Sequence, residues 1–251
     1  GRYRITEIEL ARHYKVGRTV ARDVLMEALT ALGAAPQALA PSDHFIPVDT
    51  EAVSPDTVTQ LARWTDELAL DAVLSTDGDG DRPLVADEHG MPLRGDLLGL
   101  VTARFLGAAV VATPVPSNSG LEQDGGFTVQ RTRVGSPYVI AAMEEALANG
   151  ERGVIGFEAN GGLMLGSDFA IGETLVKALP TRDSFLPALA VLGTAAQRGL
   201  SLSALVNDFR LPVALSDRLE NYASERSASL MVHLRGSRQQ LETFISPIGT
   251  V

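Results

Sequence analysis

Three aspartates separated only by glycines, Asp77, Asp79 and Asp81, place the strongest constraint on how this chain can fold. They follow a short apolar stretch, residues 71–75, that is typical of a buried strand. Carboxylates crowded at a strand end raise each other's pKa unless a cation neutralises them. Because glycine adds no side chain and tolerates left-handed backbone, the loop can turn all three carboxylates toward one point. The segment therefore predicts a site for a hard divalent cation such as Mg²⁺, Ca²⁺ or Mn²⁺.

Other interpretations of this loop compete with the cation site. A solvated Asp/Gly turn explains one Asp-Gly pair better than three aspartates directly after a buried strand. The three aspartates and Glu88 fit positions 1, 3, 5 and 12 of a calcium-binding EF-hand, but Arg82 occupies position 6, which needs glycine. The flanking segments also predict strands rather than helices. An aspartyl-phosphate phosphatase stays open, since an acidic loop after a strand could also supply a nucleophile and an acid.

The composition limits what the chain is expected to bind. A formal net charge of −10 argues against non-specific nucleic-acid binding, which needs a basic face. No apolar run approaches the roughly 20 residues of a membrane-spanning helix, so neither nucleic acid nor membrane is an expected partner. With no cysteine, disulfides and thiolate chemistry are excluded, and a cytoplasmic location is the default expectation. The oligomeric state is not indicated.

Helical and strand-like patterns alternate along the chain, which favours α/β layers with a largely parallel sheet. Helices are predicted over residues 5–14, 19–32, 55–68, 95–106, 137–148, 183–198, 201–209 and 237–244. Strands are predicted over residues 37–40, 71–75, 83–86, 109–113, 127–131, 153–157 and 229–234, and a turn over residues 180–182. The most natural domain boundary lies near residues 105–107.

Four segments resemble one known family. Residues 76–82, Thr-Asp-Gly-Asp-Gly-Asp-Arg, resemble the metal loop of the α-D-phosphohexomutases, the phosphomannomutase/phosphoglucomutase superfamily. In order along the chain, residues 113–118 resemble the start of that family's third domain, residues 131–135 the following strand and turn, and residues 156–162 its sugar-binding loop. The resemblance covers most of the chain.

The resemblance implies two consecutive three-layer α/β domains with mixed, largely parallel sheets, similar to domains 2 and 3 of a phosphohexomutase. The metal-binding domain is expected over residues 1–105, with its first residues as a remnant of a preceding domain. The sugar-binding domain is expected over residues 106–215. Residues 216–251 are expected to form a C-terminal extension or a hinge toward a fourth domain.

The resemblance also implies an activity, the reversible transfer of phosphate between C1 and C6 of a hexose through a bisphosphorylated sugar. Mannose 1-phosphate and mannose 6-phosphate are the first choice of substrate, and glucose and glucosamine phosphates are alternatives. A carboxylate at position 158 suits two neighbouring sugar hydroxyls, with an amide beside it to donate or accept. The residues implied are Asp77, Asp79 and Asp81 for Mg²⁺, and Arg82, Arg133, Glu158 and Asn160 for the substrate.

The chain departs from the family in two respects. It shows neither the loop that carries the family's phosphorylated serine nor the C-terminal phosphate-binding loop. No catalytic nucleophile is therefore expected in this chain, and the chain alone is expected not to turn over substrate. A non-catalytic Mg²⁺- or Ca²⁺-binding module is the contrasting hypothesis.

Overall fold

Helices alternate with strands or strand pairs over residues 55–157, and four further strands then precede the last described helices. The structure, a computed structural model, describes residues 18–39, 48–124, 126–214 and 222–239. The helices are α1 (Arg18–Ala31), α2 (Pro55–Leu68), α3 (Gly95–Leu106), α4 (Leu121–Asp124), α5 (Ser136–Ala148), α6 (Phe185–Arg198), α7 (Leu202–Asp208) and α8 (Ser224–Gly236). The strands are β1 (Val73–Thr76), β2 (Pro83–Ala86), β3 (Val110–Pro114), β4 (Thr128–Thr132), β5 (Val154–Phe157), β6 (Leu163–Leu165), β7 (Phe169–Ile171), β8 (Thr174–Val176) and β9 (Leu179–Asp183).

The largest sheet has five strands in the order β4-β3-β5-β6-β9. Strand β3 is parallel to both β4 and β5, whereas β6 is antiparallel to β5 and β9. Successive residues of a strand face opposite sides of the sheet. Val110 and Ala112 accordingly share a core with α5, while Val111 belongs to the larger core formed with α3 and α6. The α/β class and the mixed sheet predicted from the sequence are confirmed.

A separate antiparallel hairpin precedes this sheet. Strands β1 and β2 pair with Thr76 opposite Pro83, so residues 77–82 are the connection between them. Leu84 of β2 packs with Leu61 of α2, whereas Val85 joins the larger core. Because β2 is buried along its whole length and pairs with β1, the connecting loop begins and ends at fixed points.

The chain divides into two compact units, residues 1–214 and residues 215–251, and α8 belongs to the second. The β1–β2 hairpin and the five-stranded sheet both lie in the first unit. The division between residues 105 and 106 stays a prediction.

Several predicted elements are wrong. Residues 37–39 of the predicted strand 37–40 are irregular, since alanine, glutamine and leucine lack the β-branched side chains that favour strands. The predicted turn at residues 180–182 lies within β9, an edge strand, where proline is tolerated. The predicted strand 229–234 lies inside α8, because its leucines and methionine continue a longer run of helix-forming residues. The predicted helix 5–14 and most of the predicted helix 237–244 lie outside the described residues.

Across the described part of the chain, no single helix combines the length and apolar composition needed to cross a membrane. Helices α6 and α7 together have the required length and apolar composition, but the chain bends by 89° between them.

Candidate cation and sugar site

The carboxylate loop, residues 77–82, is closed by its own backbone. The Asp77 amide donates to the Arg82 carbonyl at 3.1 Å, and the Gly80 amide donates to the Asp77 carbonyl at 3.2 Å. Gly80 has φ of +79°, a left-handed conformation that favours glycine. The glycine-rich spacing therefore produces the tight turn that the sequence predicts.

Asp77 anchors this loop from inside. Its Oδ1 accepts the amides of Asp81 and Arg82 at 3.1 and 3.2 Å, and its Oδ2 accepts Nε of Arg82 at 2.5 Å. Burial raises the pKa of Asp77, and the hydrogen bond and charge of Arg82 partly oppose that rise. A buried carboxylate in this position is stabilised by any additional cation that reaches it.

Asp77, Asp79 and Asp81 lie together as the sequence predicts. One oxygen from each carboxylate lies within 4.8 Å of the others. A single six-coordinate Mg²⁺ needs ligand oxygens at most about 4.2 Å apart, so a small closure would bring all three onto one ion. Asp77 and Asp81 are buried and Asp79 is exposed, which leaves one side of the cluster open. Three hard oxygen donors fit Mg²⁺ or Mn²⁺.

The second predicted loop, residues 158–162, connects β5 to β6 and is called the Glu158 loop below. The Glu158 amide donates to the Gly162 carbonyl at 3.2 Å, and the Gly161 amide donates to the Glu158 carbonyl at 2.9 Å. Oδ1 of Asn160 accepts the Gly162 amide at 3.0 Å. Asn160 therefore shapes the loop, and its side-chain amide keeps its donors for other groups.

Distant segments support the Glu158 loop. A Cβ placed on Gly95, the first residue of α3, would lie 2.0 Å from the Gly161 nitrogen and 2.4 Å from the Ala159 carbonyl oxygen. The loop thus lies directly against the helix backbone, which only glycine permits. On another side, Oγ1 of the buried Thr50 donates to the Asn160 carbonyl at 2.9 Å.

Arg182 joins the two loops. Its Nε and Nη2 donate to Oε2 of Glu158 at 2.9 and 2.7 Å, and its Nη1 lies 3.3 Å from Oδ2 of Asp81. Two residues after Arg182, Oγ of Ser184 donates to the Gly80 carbonyl at 2.8 Å. The end of β9 and the start of α6 therefore hold the three carboxylates of the carboxylate loop beside Glu158.

Glu88 lies outside this site. Both of its oxygens accept hydrogen bonds from Ser203, one from the amide and one from the hydroxyl, at the start of α7. Although burial raises its pKa, the hydrogen bonds from Ser201 and Ser203 outweigh that effect and lower the pKa of Glu88 to about 2. A carboxylate committed to a helix N-terminus does not complete an EF-hand, and the calcium-loop alternative is wrong.

Comparison with known proteins then decides the family. Residues 94–211 match the family model described as "Phosphoglucomutase/phosphomannomutase, alpha/beta/alpha domain III". The chain is 53% identical over 233 residues to a protein named phosphomannomutase from Sinorhizobium fredii (strain NBRC 101917 / NGR234). The aligned region covers 93% of this chain and 49% of that protein. The chain belongs to the α-D-phosphohexomutase superfamily. This membership argues against the aspartyl-phosphate phosphatase alternative.

Two further proteins define the extent of the similarity. The chain is 47% identical over 211 residues to a protein named phosphomannomutase from Salmonella muenchen, covering 84% of this chain and 44% of that protein. It therefore spans about half the length of the curated relatives it matches. A crystal structure of a phosphoglucomutase/phosphomannomutase family protein from Burkholderia thailandensis matches 78% of this chain and 41% of its own, with a TM-score of 0.56. At 21% identity that likeness shows the fold alone.

Among the residues that the phosphohexomutase resemblance implied, Arg133 is the one that lies apart. It follows β4 at the edge of the sheet, is exposed, and stacks over the Tyr138 ring at 5.7 Å. Since β3 separates β4 from β5, Arg133 and the strand before Glu158 are about 10 Å apart across the sheet.

Arg182 is the residue that sequence reasoning missed. It lies 24 residues after Glu158 and 101 after Asp81, in a segment predicted as a turn. No local pattern marks it. Only the pairing of β9 with β6 brings it to the Glu158 loop.

Proposed function

We propose that this chain supplies the cation-binding and sugar-binding loops of a phosphohexomutase. The proposed reaction moves phosphate reversibly between C1 and C6 of a hexose. A phosphoserine outside these 251 residues gives its phosphate to one hydroxyl, and the bisphosphorylated sugar returns the other phosphate to the serine. The chain by itself should bind substrate without turning it over. A cytoplasmic location stays a prediction of the sequence.

One observation carries the proposal, the Arg182 bridge between the two loops. The guanidinium reaches Oδ2 of Asp81 on one side and Oε2 of Glu158 on the other. A group held by Glu158 would therefore lie next to the carboxylate cluster. Catalysis of phosphoryl transfer rests mostly on positioning and on neutralising charge, so a sugar site beside a cation site is the arrangement that this reaction needs.

The carboxylate loop is proposed to serve the phosphate. Asp77, Asp79 and Asp81 would hold Mg²⁺, which when bound neutralises charge on phosphate oxygens. Arg82 has a side chain 31% exposed, so its guanidinium can meet a ligand while Nε stays on Asp77. Arg133, at the sheet edge, is proposed to contact a phosphate at the far end of the sugar.

The Glu158 loop is proposed to serve the sugar ring. Both bonds from Arg182 end on Oε2 of Glu158, so Oε1 can accept a hydroxyl. Asn160 adds an amide donor beside it. Mannose phosphates are the proposed substrates, supported by the name phosphomannomutase of both relatives described above.

The proposal is tested by calorimetric titration of the chain with mannose 1-phosphate in the presence of Mg²⁺. Glu158→Gln should weaken binding about tenfold to a hundredfold, the loss of a charged hydrogen-bond acceptor. Glu122→Gln is the matched control, because Glu122 also accepts Nε and Nη2 of an arginine, Arg131, at 2.7 and 2.8 Å. It should leave binding unchanged.

Two outcomes would contradict the proposal. One is an affinity for mannose 1-phosphate that Glu158→Gln does not change. The other is tight Mn²⁺ binding with no response to mannose 1-phosphate, glucose 1-phosphate or glucosamine 1-phosphate, which would favour a non-catalytic cation-binding module.

A further inference from the structure

We propose that Arg182 is a positioning residue that couples cation binding at the carboxylate loop to the placement of Glu158. The inference rests on the proposed function for its sugar-binding half. The cation-binding half depends only on the described charges.

The guanidinium is shared unequally between the two carboxylates. Its bonds to Oε2 of Glu158, at 2.7 and 2.9 Å, have the length of strong charge-assisted hydrogen bonds, whereas the 3.3 Å approach to Asp81 is longer and weaker. The side chains of Asp81 and Glu158 are 0% and 6% exposed, so neither charge is well screened by water. Arg182 therefore holds Glu158 firmly and Asp81 loosely.

Gly162 supplies an independent sign that the loop is built around this arginine. A Cβ placed on Gly162 would lie 2.8 Å from Cδ and 3.1 Å from Cγ of Arg182. The stem of the arginine thus occupies the space that any other residue at position 162 would fill. The Glu158 loop and Arg182 form one packed unit.

The shared guanidinium makes the two sites interdependent. A divalent cation held by Asp81 would repel Arg182 and weaken its attraction to that carboxylate, so the guanidinium would interact with Glu158 alone. Glu158 would then be held by both nitrogens of the guanidinium, with Oε1 turned to a sugar hydroxyl. Because coupling between binding sites is reciprocal, a sugar that engages Glu158 tightens cation binding by the same factor.

The first experiment measures Mn²⁺ affinity by electron paramagnetic resonance, with no sugar present. Arg182→Gln should tighten Mn²⁺ binding about tenfold, because it removes a positive charge that would lie within about 5.4 Å of the divalent ion. Even with the dielectric constant of water, the repulsion between these two charges corresponds to about a tenfold change in affinity. Arg182→Lys keeps the charge and should stay near the wild type. Arg198→Gln, which removes an arginine paired with Asp208 outside the site, should change nothing. Equal Mn²⁺ affinities in wild type and Arg182→Gln would overturn the coupling.

The second experiment uses chemical rescue. Arg182→Ala should lose most of its affinity for mannose 1-phosphate, and millimolar guanidinium should restore it where equal NaCl does not. A protein distorted by the substitution would not respond to the free ion. If guanidinium does not restore binding while Arg182→Lys binds like the wild type, Arg182 does not position Glu158 through the paired hydrogen bonds of its guanidinium. If wild-type chain binds no hexose phosphate, the proposed function fails, and the Mn²⁺ titration still decides the role of Arg182.

Discussion

The carboxylate loop and the Glu158 loop are both short connections at strand ends, yet they are held in different ways. Asp77 anchors its loop through Asp81 and Arg82, four and five residues further on. The Glu158 loop depends on Thr50 and Arg182, 110 and 24 residues away from their partners, and on the backbone of α3. The first geometry is mainly a property of its own residues, and the second is a property of the fold.

This difference has a consequence for function. A change in the distant supports should disturb the sugar-binding half of the site before the cation-binding half. The two halves meet at Arg182 and at the bond from Ser184 to Gly80, so the separation has a limit. Substitutions in the supports of the Glu158 loop, in the carboxylate loop and in the segment after it measure where that limit lies.

Gly95→Ala should have the largest effect. Its methyl group would overlap the Gly161 nitrogen, so the Glu158 loop must move away from α3. We expect the free energy of unfolding in urea to fall by about 3 kcal/mol, the upper range for overpacking. Affinity for mannose 1-phosphate should fall as well. The Mn²⁺ affinity, measured at urea concentrations too low to unfold the protein, should stay close to that of the wild type.

Gly193→Ala is the matched control for this substitution. Gly193 lies within α6, and among the described residues an added Cβ there would meet just the edge of the Phe105 ring at 3.9 Å. Replacing a helical glycine by alanine should stabilise the protein by about 0.5 to 1 kcal/mol. A parallel loss of Mn²⁺ affinity in Gly95→Ala would show that the two loops form one unit and are not supported separately.

Asp77→Asn and Asp79→Asn separate anchoring from ligation within the carboxylate loop. Both remove one charged ligand, and Asp77 in addition receives the Arg82 side chain and two backbone amides. We expect Mn²⁺ affinity to fall roughly thirtyfold for Asp77→Asn, about 2 kcal/mol, and roughly tenfold for Asp79→Asn. Equal losses in a titration of both variants would mean that the loop keeps its shape without its anchor.

The same contrast explains what the sequence could predict. Spacing and glycine placement are local, and the carboxylate cluster, the β2 strand and the α3 helix are found where local patterns place them. Arg182 could not be found this way, because its role arises when β9 pairs with β6. Its segment contains a proline, which predicts a turn but is also compatible with an edge strand.

The strand predicted at residues 229–234 is wrong for a related reason. A short apolar stretch within six residues does not distinguish a strand from part of a helix, and this segment is part of α8. Glu88 shows the same limit in the site. Its spacing from Asp77 fits a calcium loop, but its partner Ser203 lies 115 residues away.

Glu88→Gln should have the smallest effect and tests whether a distant partner also supports the segment after the carboxylate loop. The folded pKa of Glu88 is lowered from 4.5 to about 2, so its carboxylate contributes stability that is fully present above pH 4.5. That contribution is lost as the pH falls toward 2. At pH 7 we expect Glu88→Gln to cost about 1 kcal/mol, typical of a helix-start hydrogen bond. In urea unfolding at several pH values, the difference in free energy of unfolding between wild type and Glu88→Gln should close between pH 4.5 and 2.

The other carboxylates are the same in both proteins, so this difference isolates Glu88. Glu144→Gln, on the exposed surface of α5, is the control and should follow the wild type at every pH. A difference in free energy of unfolding that stays constant with pH would mean that packing, and not the charge of Glu88, holds this segment against α7.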